Sequence, residues 1–534
     1  MSAFFIVVYV VCGVYMVLNF KHDIHMLQQN SYRLPRYWKY LRQDIGSTWR
    51  LVDVALLFLV FSTLLDVRLS ALFVALVSIS KIWLILRKKF KKPLVFTKRV
   101  WRLYSVSSVI SIVVYVTVVL VANGKASLPL GYAAPALSLG VLLLMTIFSW
   151  AIVMLAVVAL MPVEKMINRK YWNEAASILR SMPDLKVIGI TGSYGKTSTK
   201  HYLNRILSEE YDVLMTPGSY NTPMGVIRTV REMMKPYNTV FICEMGAKQK
   251  GDIKEICDLV HPQIGIITAV GPMHLESFKT IENVQSTKFE LADALPGDGL
   301  VVINNDFEYC ANRSVNNVES VRYCVGDKNA DNCGYVAKDV KYSPYGTSFT
   351  VTGPDGLHLE LTTKLVGACN ISNLLAAVIL ALRMGMSPDK IRMAVASIEQ
   401  VEHRLSIKRT PGGVTIIDDA FNSNPSGSKM ALEVLSGFTD GRRIVVTPGM
   451  IELGERQDEL NEAFGEEIGK SCDVAIIVGQ YNREAIVRGI GKSGFDENNL
   501  HVVGSFNEAQ QILSSFLRSG DAVLYENDLP DTFK

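Results

Sequence analysis

From residue 3 to residue 20 the chain carries no charged side chain, and a run of that length can cross a bilayer as one helix. No basic segment precedes it and no small-residue cleavage site follows it, which separates it from a signal peptide. More apolar runs follow. Residues 51–65 and 69–86 read as a tight helical hairpin with Asp66 and Arg68 at its tip, and residues 105–122 and 134–161 read as longer spans. Lys81 lies inside the second arm of the hairpin, where it must snorkel or face a partner. The first third of the chain, residues 1–165, is therefore expected to be an α-helical membrane domain of about five helices.

Orientation follows from lysine and arginine. Residues 21–50 carry Lys21, Arg33, Arg36, Lys39, Arg42 and Arg50. Residues 87–102 carry Arg87, Lys88, Lys89, Lys91, Lys92, Lys98, Arg99 and Arg102. The alternate connections, residues 66–68 and 123–132, are almost free of positive charge. This bias places the N-terminus outside a cytoplasmic membrane, and an odd number of spans puts everything past Pro162 in the cytoplasm. Two readings of the basic segments stay open. They are topology signals, or they also help hold an anionic lipid headgroup or a diphosphate at the membrane surface. The aromatics in SYRLPRYWKYLR suit an interfacial segment under either reading. A net charge of only +4 makes no case for nucleic acid, and eight cysteines without a C-x-x-C pair suit a reducing compartment.

Past residue 166 the pattern changes. Residues 166–180 have apolar positions at helical spacing. Then LKVIGITGSYGKTSTK begins with a Val- and Ile-rich buried strand. Gly192, Ser193, Tyr194 and Gly195 turn the chain, and Lys196 and Thr197 open a helix. This is the layout of a phosphate-binding loop, in which backbone N–H groups face the phosphates. Thr191, Gly192, Ser193, Gly195, Lys196, Thr197 and Ser198 are the candidate nucleotide-binding residues, with the Thr197 hydroxyl able to reach a Mg²⁺. The spacing is shorter than the strict Walker form, because Ile190 stands where that form wants glycine. Alternating strands and helices then predict two α/β domains, at residues 166–400 and 401–534. Within the first, residues 335–365 carry turn signals that read as an antiparallel insert.

Four further clusters carry chemistry, each with a plain alternative. Glu244 ends a predicted strand and either holds a phosphate-bound Mg²⁺ or caps the next helix. His274 follows another strand, and a lone histidine there is more often structural. Lys288 sits on a helix, where a lone lysine is usually a solvated charge. DDAFNSNP at residues 418–425 suits a turn and helix start, or a ribose or triphosphate-bound metal.

Taken in order, TGSYGKTS, TPGSYNTPMGV, CEMGAKQKGDI, GPMHLESF, TKFE, INND, NISNLLAA, EHRL, DDAFNSNP and TPGMIELGE resemble the Mur ligases. These are the ATP-dependent amide-bond ligases of peptidoglycan synthesis, and the resemblance covers residues 185 to the C-terminus. It implies a P-loop central domain and a Rossmann-like C-terminal domain. It also implies a reaction in which ATP phosphorylates a carboxylate and an amine displaces phosphate from the acyl phosphate. Carried over by position, Lys196 and Thr197 would bind phosphates and Mg²⁺, and Glu244 and His274 would be metal ligands. Lys288 would be the carbamylated lysine that supplies a further ligand. Asn304 would contact the nucleotide, and Arg404 and Asp419 would close on ATP with Asn422 and Asn424 nearby. Lys196, His274 and Lys288 are the residues implied in catalysis. Three departures stand out. Cys369 replaces the family's histidine, the C-terminal K-G-[SA] segment is missing from YENDLPDTFK, and a membrane domain stands in place of the UDP-sugar-binding domain.

The expected protein is a membrane-embedded acid–amino-acid ligase using ATP and Mg²⁺. Its partners would be an amino acid or dipeptide, a carboxylate acceptor (a lipid-linked cell-wall precursor is preferred) and membrane lipids. Two other readings stand beside it: a poly-γ-glutamate-type ligase, and a nucleotide-gated membrane scaffold or transporter.

Overall fold

The computed structural model describes residues 3–44, 48–61, 66–87, 93–124, 133–343, 346–421 and 423–529. Asn422 and the basic residues Lys88, Lys89, Lys91 and Lys92 lie outside them, as do residues 125–132, most of one predicted charge-poor connection. The chain forms two compact units, one ending at Ile167 and one running from Asn168 to Leu529.

The first unit is helical. Its described elements are α1 (Ala3–Gln29), α2 (Leu34–Asp44), α3 (Thr48–Phe61), α4 (Val67–Arg87), α5 (Lys98–Gly124), α6 (Ala133–Ile147) and the start of α7 (Ser149–Arg180). Four of these helices are long and apolar enough to cross a membrane by length and composition: α1, α4, α5 and α7. Shorter apolar helices cover Leu51–Val60 and Ala136–Ile147. The expected single span at residues 134–161 is instead two helices meeting at Phe148. Buried polar groups explain the break. Asn19 Nδ2 donates to the Thr146 carbonyl (3.4 Å), the acceptor that Trp150 N would use in an unbroken helix, and the Ser149 hydroxyl donates to Asp23. The helical spacing at residues 166–180 is the continuation of α7, which runs on to Arg180 before β1.

Lys81 has its partner. Its Nζ lies 2.6 Å from Asp53 Oδ1, with both side chains buried, and the Tyr15 hydroxyl donates to Asp53 Oδ2 at 2.9 Å. One ion pair thus joins α3 and α4 and draws in α1. The outer faces are apolar: Val7, Val10, Phe58, Ile112 and Leu120 are each more than half exposed. On α2 the aromatic pattern resolves by depth, with Tyr37 and Leu41 buried and Trp38, Lys39 and Arg42 exposed.

In the second unit, strands β1 (Lys186–Thr191), β2 (Val213–Met215), β3 (Val240–Glu244), β4 (Ile264–Ile267), β5 (Leu300–Asn304), β6 (Glu319–Val325), β7 (Tyr335–Ser343), β8 (Gly346–Thr352) and β9 (His358–Thr363) make one sheet. Their order is β2-β3-β1-β4-β5-β6-β7-β8-β9. Pairing is parallel as far as β7, and β8 and β9 are antiparallel. The region read as an antiparallel insert is antiparallel across β7, β8 and β9, and it continues the main sheet because β7 pairs in parallel with β6. The strands are apolar on both faces because both are covered. Helix α8 (Lys196–Leu207) and the helix Ala368–Arg383 bury one face around Ile188, Ile190, Leu203 and Leu374. The helices Asp252–Val260 and Ile281–Asp293 bury the other around Phe241, Ile256 and Phe289.

The last strands, β10 (Ser406–Arg409), β11 (Thr415–Asp419), β12 (Arg443–Thr447), β13 (Val474–Val478), β14 (Leu500–Val503) and β15 (Ala522–Glu526), form a second sheet in the order β10-β11-β15-β12-β13-β14. It is parallel except for β10. In both sheets the carboxyl ends of the parallel strands carry the residues singled out above, which is where open α/β sheets take their ligands.

The α3–α4 ion pair gives a direct test. Lys81→Met removes the charge paired with the buried Asp53 carboxylate and should cost about 3–5 kcal/mol. The double variant Asp53→Asn, Lys81→Met should recover most of that loss, read as thermal stability of the purified protein.

Candidate active site

The site is assembled at the turn between β1 and α8. Gly192 and Gly195 have φ of 153° and 77°, and a Cβ at either would lie 2.1 Å from the Thr268 hydroxyl or the Asn373 amide oxygen. Only glycine lets the loop pass so close to its neighbours. Thr191 anchors the loop through its hydroxyl to the Met245 carbonyl (3.0 Å). Ser193 Oγ lies 3.1 Å from both the nitrogen and the carbonyl oxygen of Gly271. Lys196 bends back over the turn, donating to the carbonyls of Gly192 (2.7 Å) and Ser193 (3.2 Å). Burial lowers its amine to about 8 against the pull of Glu244, so the lysine is poised to gain from an anion in the loop. Ser198 is buried one turn into α8.

Glu244, at the end of β3, is the centre of the cluster and only 1% exposed. Its carboxylate accepts from the Thr197 hydroxyl (3.1 and 3.2 Å), Asn221 Nδ2 (3.0 Å) and Lys200 Nζ (2.9 Å). Burial pushes this carboxyl up, but the charges of Lys200 and Lys196 and the bonds from Lys200 and Asn221 outweigh it. Glu244 is held below the ordinary carboxylate range. It does not cap the following helix; it faces the phosphate loop.

His274 lies in the left-handed region (φ 55°), with its Nδ1 against Glu452 of the C-terminal domain. Burial lowers its pKa, while Glu452 works in the other direction. Lys288 is buried at 3% exposure on the helix Ile281–Asp293, and among the described residues it makes no hydrogen bond or ion pair. Burial, with the like charge of Lys196 nearby, holds its amine well below the usual lysine range. The solvated-charge reading of Lys288 therefore does not describe it.

Asn304 is buried where β5 ends. Its Nδ2 donates to the Thr268 carbonyl and the Ser372 hydroxyl (2.9 Å each), and its carbonyl accepts from Asp306 N (3.0 Å). What it can offer a nucleotide is the remaining lone pair of that carbonyl. From the C-terminal domain, Arg404 donates to the Phe421 carbonyl (2.9 Å) and stacks over its ring (4.3 Å). Its charge reaches both Lys196 and Glu244. Asp419 ends β11 and accepts from Leu405 N (3.0 Å), and burial lifts its carboxyl to about 6 against the pull of Arg404. Asn424 caps the helix Pro425–Ser436 through Gly427 N (2.9 Å), which is the turn-and-helix reading of that motif. Cys369 is at the start of the helix Ala368–Arg383, and burial pushes its thiol up to about 12, so it has little thiolate character.

Sequence reasoning missed four residues. Lys200, fully buried, pairs with Glu244 and also donates to the Gly218 carbonyl (2.6 Å), pinning the TPGSYNTP segment. Its only signal was its place one helical turn after Lys196. Asn221 and Glu452 lay in quoted motifs but without a role. Glu526, fully buried beside Asp419 in register, accepts from the hydroxyls of Ser423 and Ser428.

Among the described residues, no three His, Cys, Asp or Glu side chains converge as a ready-made metal cage. The donor set fits Mg²⁺ nevertheless. That ion keeps several waters and binds through one or two carboxylates together with phosphates. A buried carboxylate at Glu244 beside the Thr197 hydroxyl, opening onto a phosphate loop, supplies the protein's share.

The Mur ligase middle domain family matches residues 190–381, and the Mur ligase, glutamate ligase domain family matches residues 403–525. The UDP-N-acetylmuramoyl-tripeptide–D-alanyl-D-alanine ligase of Mycobacterium tuberculosis is 30% identical over 366 residues, 64% of this chain and 70% of that one. The enzyme of the same name from Bacillus subtilis is 31% identical over 288 residues, and the match spans 53% of this chain and 59% of the relative's length. Among solved structures, MurF from Acinetobacter baumannii superposes with a TM-score of 0.61 at 23% identity, over 68% of this chain and 77% of that one. MurF from Thermotoga maritima in complex with ADP gives 0.60 at 24%, over 68% and 80%.

The Lys200–Glu244 pair is fully buried, so removing one charge exposes the cost of the other. Lys200→Met should lose about 3–5 kcal/mol in denaturant unfolding, more than substitution of an exposed lysine such as Lys254 would cost.

Proposed function

The chain belongs to the Mur ligase family, whose members are ATP-dependent, ADP-forming amide ligases that use ATP and Mg²⁺, and from that premise we propose that it joins an amino acid or dipeptide to a carboxylate acceptor in peptidoglycan precursor synthesis. The observation that carries this reading is the set of Lys196, Glu244 and Lys288 around one phosphate loop. Nucleotide binding alone has no use for a lysine buried as Lys288 is. Thr191, Gly192, Ser193, Gly195, Lys196, Thr197 and Ser198 form the phosphate cradle in this reading. Asn304 contributes from the end of β5, and Arg404 and Asp419 contribute from the C-terminal domain.

Thr197, Glu244, His274 and a carbamylated Lys288 would hold the metal, which when bound neutralises phosphate charge during transfer. Lys196 and Arg404 add positive charge that the protein does not have to reorganise as the reaction proceeds. Contact between the two domains keeps water from the activated carboxylate. The named relatives act on a UDP-linked tripeptide and D-alanyl-D-alanine, and the dipeptide is the first amine to try here.

The proposed setting is a cytoplasmic membrane, with the N-terminus outside and the ligase domains in the cytoplasm. Its support is the apolar outer face of the first unit and the basic residues of its α1–α3 and α4–α5 connections. The preferred acceptor is a lipid-linked precursor, because the helical unit stands where the family has its UDP-sugar-binding domain.

Phosphate release by the purified protein should rise when D-alanyl-D-alanine and a peptide-bearing acceptor are supplied together. Stimulation by neither would sink the ligase reading and favour a nucleotide-gated scaffold. Lys288→Ala should abolish turnover while leaving nucleotide affinity within a few-fold, measured by calorimetry.

A further inference from the structure

Two residues in the left-handed backbone region meet where the middle and C-terminal domains touch. His274 (φ 55°) follows β4, and Glu452 (φ 62°) follows β12. Such conformations persist at non-glycine positions only where the surroundings fix them, and here the fixing contacts form a small interlocking set. Glu452 Oε2 engages His274 Nδ1, and its other carboxylate oxygen lies 3.6 Å from Lys248 Nζ. The Glu452 carbonyl accepts from Glu276 N at 3.4 Å. Gly454 lies so close to the same segment that a Cβ there would be 3.2 Å from Glu276 N. The backbone around His274 is thus gripped by the C-terminal domain, and its ring is held by a carboxylate from that domain.

A carboxylate on one imidazole nitrogen fixes the ring's orientation and tautomer and makes the other nitrogen the better donor to a metal. With Nδ1–H given to Glu452, Nε2 carries the free lone pair. We propose that Glu452 is a positioning residue for the metal site, orienting His274 so that the site is complete only when the C-terminal domain is docked. This rests on the ligase reading, in which His274 is a metal ligand. Metal binding and domain docking are then two readings of one equilibrium, and each favours the other.

The test is Mn²⁺ binding to the full-length protein with ADP present, followed by electron paramagnetic resonance of the free ion. Glu452→Ala should weaken Mn²⁺ binding about 10–100-fold. Glu452→Gln, which keeps the size and an oxygen acceptor, should recover most of it. His274→Ala should lose as much as Glu452→Ala, and the double variant should bind no more weakly than His274→Ala alone. Unchanged metal-free ADP affinity in each variant shows that the fold is intact. Mn²⁺ should also slow amide exchange over residues 449–454 in the wild type and not in Glu452→Ala. The proposal is overturned if Glu452→Ala binds Mn²⁺ within about twofold of the wild type, or if the two single losses multiply in the double variant. Unaltered exchange in the metal-loaded wild type overturns the coupling to docking. A wild-type protein that binds no Mn²⁺ with ADP overturns the ligase reading itself, and this proposal with it.

Discussion

The ligase unit is organised around one buried carboxylate. Glu244 has almost no contact with solvent, yet it stays ionised because Lys200, Thr197 and Asn221 all donate to it. Those three donors come from two different segments: the phosphate helix supplies Thr197 and Lys200, and the loop after β2 supplies Asn221. Glu244 itself ends β3. A buried charge is tolerated only when such partners surround it, so the requirement that Glu244 be satisfied also fixes where the helix and the loop must lie. The parallel sheet supplies the rigidity, since β1 and β3 pair in register from Lys186–Val240 to Ile190–Glu244. The phosphate turn and the carboxylate therefore leave adjacent strands at the same edge.

Positive charge around this centre is divided between two kinds of lysine. Lys200 has a fixed partner and is structural. Lys196, half-buried, and Lys288, buried, have their charged forms disfavoured, Lys196 at the mouth of the loop and Lys288 with no hydrogen-bonding partner among the described residues. Groups in that condition gain most when an anion or an electrophile arrives, which is why perturbed lysines cluster at functional sites. Arg404 and Asp419 bring a second domain's charges to the same place. A site shared by two domains can shed water as they come together and can be assembled or dismantled by their movement.

The helical unit obeys the opposite rule at its surface and the same rule inside. Its outer faces are apolar, while its polar groups are turned inward and matched, Asp53 with Lys81 and Tyr15, Asp23 with Ser149. In a low-dielectric interior these pairings decide which helices touch, because an unmatched group there is far costlier than a lost apolar contact. The break at Phe148 is the clearest case. Hydropathy saw one long span at residues 134–161, but the amide of Asn19, far away in sequence, competes for a carbonyl of the helix and the helix splits.

Local pattern determined a good deal of this protein. Apolar run length marked the helices of the first unit, alternation of short strands and helices marked two α/β domains, and the order of motifs from TGSYGKTS to TPGMIELGE carried the family. These properties are written in neighbouring residues, where spacing and composition suffice. What depended on tertiary structure was every property arising between distant residues. That Lys288 is buried rather than solvated follows from the packing of its helix against the sheet. That Lys200 neutralises Glu244 follows from two strands standing side by side. That β7 joins the antiparallel strands to the main sheet follows from its parallel pairing with β6, and that Glu452 holds His274, 178 residues away in the chain, follows from contact between domains. Spacing along a chain sets periodicity, but burial and charge pairing are set by what the fold brings near, and a single sequence does not display that.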